Sequence, residues 1–453
     1  MMLASVAIGA SATTHTTPVK VQDYLYELTC SGLDYTKGQE FLNKYTTLAK
    51  VGCSGIRVGN FQGRNFDWNY DDTKEYVVHV PAENGRHASV GVGCVFTTGH
   101  FFITEETKKL SDEQIYSNVA YSMLDGVNDA GVVIQSNMTN SDYGATTGSN
   151  PQGEDLNCQM VVRYILDNAG SVNEALKLLK ERNVIMSAAF DLHWLISDPK
   201  RTVVVEYIKN EMRVDSTANI MTNFYVTLPY YQRTGMGIER FNILKTFYNE
   251  GNTKEGMIKL LDRVRYRRVK DLSAYDMWLS EFNGTVVENN GVKDTLTVYN
   301  MDEDRANQLV EFTKNPTPSN YWERGGGSWQ TVHNATYDIA NKTVTIIAQE
   351  DGVQHDFEIV QKTDGTGVQS VSLGNSTGAL GLSVDNAAKA VSVTFAAGKG
   401  TATLDVITPA GQTVASKTLA QSGETVSLAS LPSGVYIISV KQSGETKTVK
   451  ATL

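Results

Sequence analysis

Gly52-Cys53-Ser54-Gly55-Ile56-Arg57, followed by Gly63-Arg64-Asn65-Phe66-Asp67-Trp68, is the stretch on which the reading of this chain turns. Cys53 to Val58 is strand-like, Gly59-Asn60 supplies a turn, and Gly63 to Asp67 forms a second strand. Such a hairpin brings Arg64 and Asp67 back alongside Cys53. If the peptide bond before Cys53 is cut, the residue gains a free α-amino group beside its thiol. An α-amine titrates near ~7.7–8.0, so at neutral pH part of it is unprotonated and can take the thiol proton. The thiolate is the reactive form, and a cation such as Arg64 favours it further. Two plainer readings stand beside this one. A single cysteine in an apolar stretch is commonly a small buried hydrophobe, and Arg64 with Asp67 can be a surface ion pair of little consequence.

The pattern Cys-Ser-Gly followed by Gly-Arg-Asn-x-Asp resembles the mature N-terminus of the choloylglycine hydrolase family. This family holds bile salt hydrolases and penicillin V acylases, and is related to acid ceramidase and N-acylethanolamine amidase. Three further segments resemble it in the same order. Asp125-Gly126-Val127-Asn128-Asp129-Ala130-Gly131 leads into Val132 to Asn137, resembling a hairpin that closes an oxyanion hole; Met221-Thr222-Asn223-Phe224 resembles its Thr-Asn segment; Gly237-Ile238-Glu239-Arg240-Phe241 resembles its Ser-Arg-Phe segment. Each motif is short, and the four in order carry the resemblance. It covers roughly residues 53–360. It implies an N-terminal-nucleophile hydrolase in which Cys53 sulfur attacks an amide carbonyl while its own amine moves the proton. The implied oxyanion donors are the Asn223 side chain and the Asn137 backbone N–H. Asp67 would orient the α-ammonium, Arg64 would stabilise the thiolate, and Arg240 would hold Asp67. Taken without the resemblance, both asparagines read as turn or strand-end hydrogen bonders.

The segment before Cys53 divides in two. Met1 to Ala12 is apolar and ends in Ala-Ser-Ala, which reads as a signal-peptide remnant without its basic start; the first basic residue is Lys20. Its apolar run is too short to span a bilayer. Residues 13–52 then read as a propeptide, with a helix over Lys37–Tyr45 leading to the cut. Bile salt hydrolases commonly need only a methionine or signal peptide removed, so a pro-segment of this length is nearer the ceramidase-like habit.

The chain has 453 residues, 41% of them hydrophobic, enough for two or more domains. A formal net charge of −10 with no basic run argues against nucleic-acid binding. The seven histidines show no HExxH spacing, so neither metal nor other cofactor is expected. Export would permit a Cys94–Cys158 disulfide, but free buried thiols are the expectation for these two and for Cys30.

Hydrophobic patterning predicts strands over 74–98 around a turn at Pro81–Arg86, and a hairpin over 117–138 turning at Asn128–Gly131. Helices follow over 156–169 and 172–183, then strands Ala188–Ser197 and Thr202–Ile208. Further helices are predicted over 238–249 and 254–265, and strands over 328–335, 342–348 and 353–360. This order fits an α+β protein in which two helix layers enclose two antiparallel sheets, the αββα sandwich that the resemblance also implies. The catalytic domain is placed at 53–364. Phe61, Phe66, Trp68, Tyr70, Phe224, Tyr225, Tyr230 and Tyr231 crowd the motifs; they read as core packing, or in part as the lining of an acyl pocket.

Residues 365–376 read as a Gly/Ser/Thr/Asp-rich linker and 377–453 as a small β-sandwich of about six short alternating strands. Pro409–Val414 and Leu431–Ile438 resemble the sorting domains of secreted Bacteroidetes proteins, implying export to the periplasm, surface or medium through a dedicated machinery. An Ig-like spacer or carbohydrate-binding module is the plainer alternative. The whole reads as an exported, self-processing cysteine amidase for amphipathic N-acyl amides, with conjugated bile salts or fatty-acyl amides as leading substrates. A penicillin V acylase-like enzyme is the nearest rival. A secreted, non-catalytic binding protein on the same scaffold is the rival from another class. A homo-oligomer is compatible with all three.

Overall fold

The computed structural model describes residues 13–45, 52–69, 74–95, 105–139, 149–186, 191–228, 235–265, 286–289, 292–295, 304, 307, 329–348, 352–360, 371–373, 381–385, 389–395, 400–408, 412–432, 434–443 and 445–452. The proposed leader at 1–12 lies outside them, as do Tyr70, Tyr230 and Tyr231.

Two sheets face one another. The smaller runs in the order Ile220–Met221, Gly52–Val58, Phe61–Asn69, Trp329–Asp338, Thr343–Ala348, Gln354–Glu358. The larger, of ten strands, runs Thr14–His15, Leu25–Ser31, Glu75–Val80, Ser89–Cys94, Met123–Asn128, Val133–Thr139, Asp191–Ser197, Thr202–Ile208, Glu211–Asp215, with Val19–Gln22 also on Leu25–Ser31. Helices Val161–Asn168 and Val172–Glu181 lie on the side of the large sheet, the first packing on Met123–Asn128 and Val133–Thr139. Helices Ile238–Thr246 and Lys254–Arg263 cover the small sheet. The result is the four-layer αββα arrangement. It departs from the expectation of purely antiparallel sheets at one place, the parallel pairing of Leu25–Ser31 with Glu75–Val80.

That pairing ties the described part of residues 13–52 into the fold. Leu25, Leu28 and Cys30 are fully or almost fully buried; full burial of one such side chain contributes about 1.5–3 kcal/mol. Glu27 meets His79 at 2.8 Å inside the fold, and Glu83 accepts from the backbone N–H of Gly32 at 2.7 Å. The helix Tyr35–Lys44 is capped by Asp34. The strands of residues 13–45 are thus built into the large sheet.

Most predicted helices and strands fall within a few residues of the observed elements, but the hairpin predicted from residue 117 starts at Met123, because Asp112–Asn118 is a helix followed by a 3-10 turn. Ser171 caps Val172–Glu181 by accepting from Glu174 N–H, as its position before the apolar run requires. The predicted first helix begins late, because Asp155–Asn157 pairs in parallel with Asn183–Ile185 and a short 3-10 turn intervenes. All four cysteines are free and buried.

The C-terminal sandwich has a five-stranded and a three-stranded sheet among the described residues. Its core is Val391, Val393, Leu404, Val406, Ile438 and Val440, joined by Phe395, Leu419, Leu428 and Tyr436. The predicted linker is corrected at one point: Val371–Leu373 is a strand paired with Glu445–Thr452. Its alternation is too short to read locally, and the long edge strand recruits it.

Candidate active site

The hairpin forms in the register its two-residue turn dictates. Val58 pairs with Phe61, Gly55 with Arg64, and Cys53 with Phe66. Directly opposed residues share a face, and the face alternates along each strand. Cys53, Gly55, Arg64 and Phe66 therefore turn toward the large sheet. Asp67, one position on, turns toward the helices. Gly55 lies close under the facing sheet: a Cβ there would lie 1.9 Å from Gln135 Nε2, so that buried amide would have to move.

Cys53 is wholly buried and held from three directions. Arg64 Nη2 lies 3.5 Å from Cys53 Sγ and donates to Ser136 O at 3.0 Å. The Cys53 N–H donates to Asn223 Oδ1 at 2.8 Å. Arg240 donates from Nη1 to the Cys53 carbonyl and to Ser54 Oγ (2.8 Å), and from Nη2 to Asn223 Oδ1 (2.7 Å). Arg240 also pairs with Asp67 Oδ2 at 3.3 Å, and Thr331 Oγ1 donates to Asp67 Oδ1 at 2.6 Å. It reaches them because Gly237, at φ 86°, opens the helix; a Cβ there would lie 2.5 Å from Arg240 Nη2.

Asn223 Nδ2 donates to Met138 O at 2.7 Å. Asn137, fully buried, holds the same segment by donating from Nδ2 to Met221 O and Thr222 O, both at 3.2 Å. His193 adds Nε2 against Thr222 O at 2.9 Å and Nδ1 against Glu206 at 3.0 Å. All six residues singled out from the sequence belong to this cluster or its immediate support. In this uncut arrangement the Cys53 N–H faces Asn223, while the Asp67 backbone meets the Cys53 thiol and its carboxylate pairs with Arg240.

Burial pushes the Cys53 thiol up; the Arg64 cation opposes this, the Asp67 carboxylate adds to it, and the net is a raised thiol pKa. Arg64 in turn rests on Asp125, paired through Nη1. Burial disfavours the Asp125 carboxylate, but Arg64 and donors from His333 and Tyr337 overcome it and set its pKa at about 2. Sequence reasoning missed Asp125, His333, Tyr337, Glu75 and Thr331 as site residues. The available signal was a lone charged residue inside an apolar strand, as in Met123-Leu124-Asp125-Gly126-Val127. Of the crowded aromatics, Phe66, Trp68, Phe224 and Tyr225 are almost fully buried core residues, and Phe61 is partly buried. Among the described residues there is no cluster able to hold a metal ion.

A buried thiol beside a guanidinium, on a residue whose N–H meets a carboxamide and whose carbonyl meets a second guanidinium, is equipped for acyl transfer. Residues 53–246 match the model of the linear amide C-N hydrolases, choloylglycine hydrolase family. The chain carries a choloylglycine hydrolase domain. It is accordingly a hydrolase of linear amides. Residues 387–453 match a secretion system C-terminal sorting domain, a tail that points to export. No curated protein matches the chain. Among solved structures, a mutant conjugated bile acid hydrolase from Clostridium perfringens aligns at 14% identity, over 68% of this chain and 92% of its own, with a TM-score of 0.41. Penicillin V acylase from Agrobacterium tumefaciens aligns at 16% identity, over 68% and 86%, with a TM-score of 0.36. Among the described residues no helix is long and apolar enough to cross a membrane.

Proposed function

We propose that this choloylglycine hydrolase domain is activated by scission between Gly52 and Cys53, and then cleaves N-acyl amides with Cys53 as nucleophile. The observation that carries this reading is the convergence of Arg64, Asn223 and Arg240 on one cysteine whose sulfur, N–H and carbonyl are each engaged. Activation begins with Cys53 Sγ attacking the Gly52 carbonyl through a five-membered ring. The C–N bond breaks, the acyl group passes to sulfur, and water releases it, leaving Cys53 with a free amine.

In turnover the Cys53 amine accepts the thiol proton and the sulfur adds to the substrate carbonyl. The oxyanion is met by an Asn223 N–H and the Asn137 backbone N–H. The intermediate collapses to a thioester as the protonated amine gives its proton to the leaving nitrogen. Water, deprotonated by the same amine, then cleaves the thioester to the free acid. Arg64 favours the thiolate against the burial that opposes it, and Arg240 couples Asp67 to the new terminus. Conjugated bile salts or fatty-acyl amides are the substrate classes we favour, with penicillin V the alternative acyl donor. Export to the periplasm, surface or medium is assigned to the sorting domain.

Intact mass and N-terminal sequencing of wild type and Cys53→Ala test the reading. Wild type is expected to yield a chain beginning at Cys53 beside the upstream piece, and the variant to remain uncut. A wild type that stays uncut and fails to label with a thiol-reactive acyl probe would return the protein to the non-catalytic reading. A panel of conjugated bile acids, N-acylethanolamines, N-acyl amino acids and penicillin V then assigns the substrate class.

A further inference from the structure

Between the two sheets lies a row of buried charged groups that extends away from Cys53. Arg64 pairs with Asp125, which also accepts from Tyr337 Oη. His333 Nε2 stands 3.3 Å from Asp125 Oδ2, and His333 Nδ1 stands 2.5 Å from Glu75 Oε1. Arg64, Asp125, His333 and Glu75 are each exposed by 1% or less. Both ring nitrogens of His333 thus face carboxylate oxygens. A neutral imidazole has one N–H and satisfies one of them; the imidazolium satisfies both. With the imidazolium, Arg64, Asp125, His333 and Glu75 sum to zero charge, which buried ions require.

The backbone is shaped for this contact. In the pairing of Trp329–Asp338 with Phe61–Asn69, Thr331 opposes Asp67 and His333 opposes Phe66, so Val332 is an inserted residue. A bulge of this kind re-aims side chains. In a regular strand residues 331 and 333 would share a face. Here Thr331 reaches Asp67 on the helix side, while His333 turns inward over Phe66, at a ring separation of 5.4 Å, toward Asp125.

We propose that His333 is a positioning residue. Held as the imidazolium between Glu75 and Asp125, it keeps Asp125 from neutralising Arg64 outright and so preserves the Arg64 field at Cys53 sulfur. The inference rests on Cys53 being the nucleophile. The groups facing the relay are Glu75 and the Cys94 thiol from adjacent strands, Asp125 and Tyr337 beside His333, and Arg64 itself; those facing Cys53 are Arg64, Asp67 and Arg240. Burial opposes the His333 charge, but Glu75 and Asp125 outweigh it and raise its pKa to about 9.

The test uses the full chain. Alkylation of Cys53 by iodoacetamide is followed against pH by peptide mass, which separates it from the other cysteines. In His333→Gln the relay keeps two carboxylates against one cation. The apparent thiol pKa should rise by about one unit, slowing alkylation near neutrality about tenfold, and kcat should fall with KM little changed. Glu75→Gln removes a negative charge and should move the thiol pKa the opposite way. A folded His333→Gln whose profile superimposes on wild type, or two variants that shift in the same direction, would overturn the proposal. Should His333→Gln fail to fold, ¹⁵N-imidazole spectra of wild type and Glu75→Gln at pH 7.5 decide: wild type should show a doubly protonated ring that Glu75→Gln alters, and a wild type without one overturns the proposal. A wild type in which Cys53 is neither terminal nor alkylated defeats the functional reading instead, and leaves the imidazole result standing.

Discussion

The small C-terminal sandwich and the large one bury different chemistry. Among the described residues of 387–453, the buried polar side chains are Ser439 and Gln442, and the core is mainly Val, Ile and Leu with Phe395 and Tyr436. The large sandwich sets Arg64, Asp67, Glu75, Asp125, His333 and Arg240 inside, all 5% exposed or less. Removing such ions from water costs several kcal/mol apiece before pairing repays it, and apolar replacements are often neutral or stabilising. Two sheets can be held together without this expense, as the small domain demonstrates. Buried charge is not confined to one place, as the fully buried Arg163–Asp167 pair shows; the group gathered around one sulfur is where we propose that the reaction is placed.

That contrast can be broken most directly at the sulfur. Cys53→Ala should lower turnover by more than about 10⁴-fold and abolish the cut before residue 53, with the thermal midpoint little changed; steady-state kinetics and N-terminal sequencing read both. Arg64→Met should cost about 3–5 kcal/mol in urea denaturation, since it strands Asp125 in the interior. Asn223→Ala should reduce kcat by about 10²–10³ through the lost oxyanion donor, more than it raises KM. In the small domain, Leu404→Ala should destabilise locally by about 2–5 kcal/mol and leave turnover untouched, which limited proteolysis beside an activity assay would resolve. The mildest effect concerns pH. The His333 pKa is raised from 6.5 to about 9, so its contribution to stability is complete below about pH 6.5 and is lost as pH rises through 9. The thermal midpoint of wild type should therefore fall across that window by more than that of His333→Gln.

The hairpin was legible because its turn has two residues and its strands alternate; the register that sets Arg64 beside Cys53 follows from counting. Asn223 and Arg240 were legible only through short motifs, since their partners lie more than 150 positions away in the chain, as the Cys53–Asn223 separation of 170 shows. His333 was not legible. One inserted residue reverses the faces of Thr331 and His333, and alternation on paper carries no sign of the insertion. Nor was the N-terminal strand recognised as part of the sheet. Its pairing with Glu75–Val80 is non-local and parallel, and Leu25–Ser31, broken by Glu27, Thr29 and Ser31, has no apolar run to mark it. Glu211–Asp215 was missed for the opposite reason: it is an edge strand with little burial to pattern it.

The strand Leu25–Ser31 lies upstream of the proposed cut, whereas its neighbour Glu75–Val80 lies downstream. Scission would therefore turn one polypeptide into two interlocked pieces whose separation means tearing a sheet open. Renaturation would become bimolecular, so recovery after urea should depend on dilution in the cut protein and not in uncut Cys53→Ala. Denaturing electrophoresis should give two bands where native mass gives one particle. Maturation of this kind would be a ratchet: a form reached easily while the chain is whole, and regained with difficulty once it has been lost.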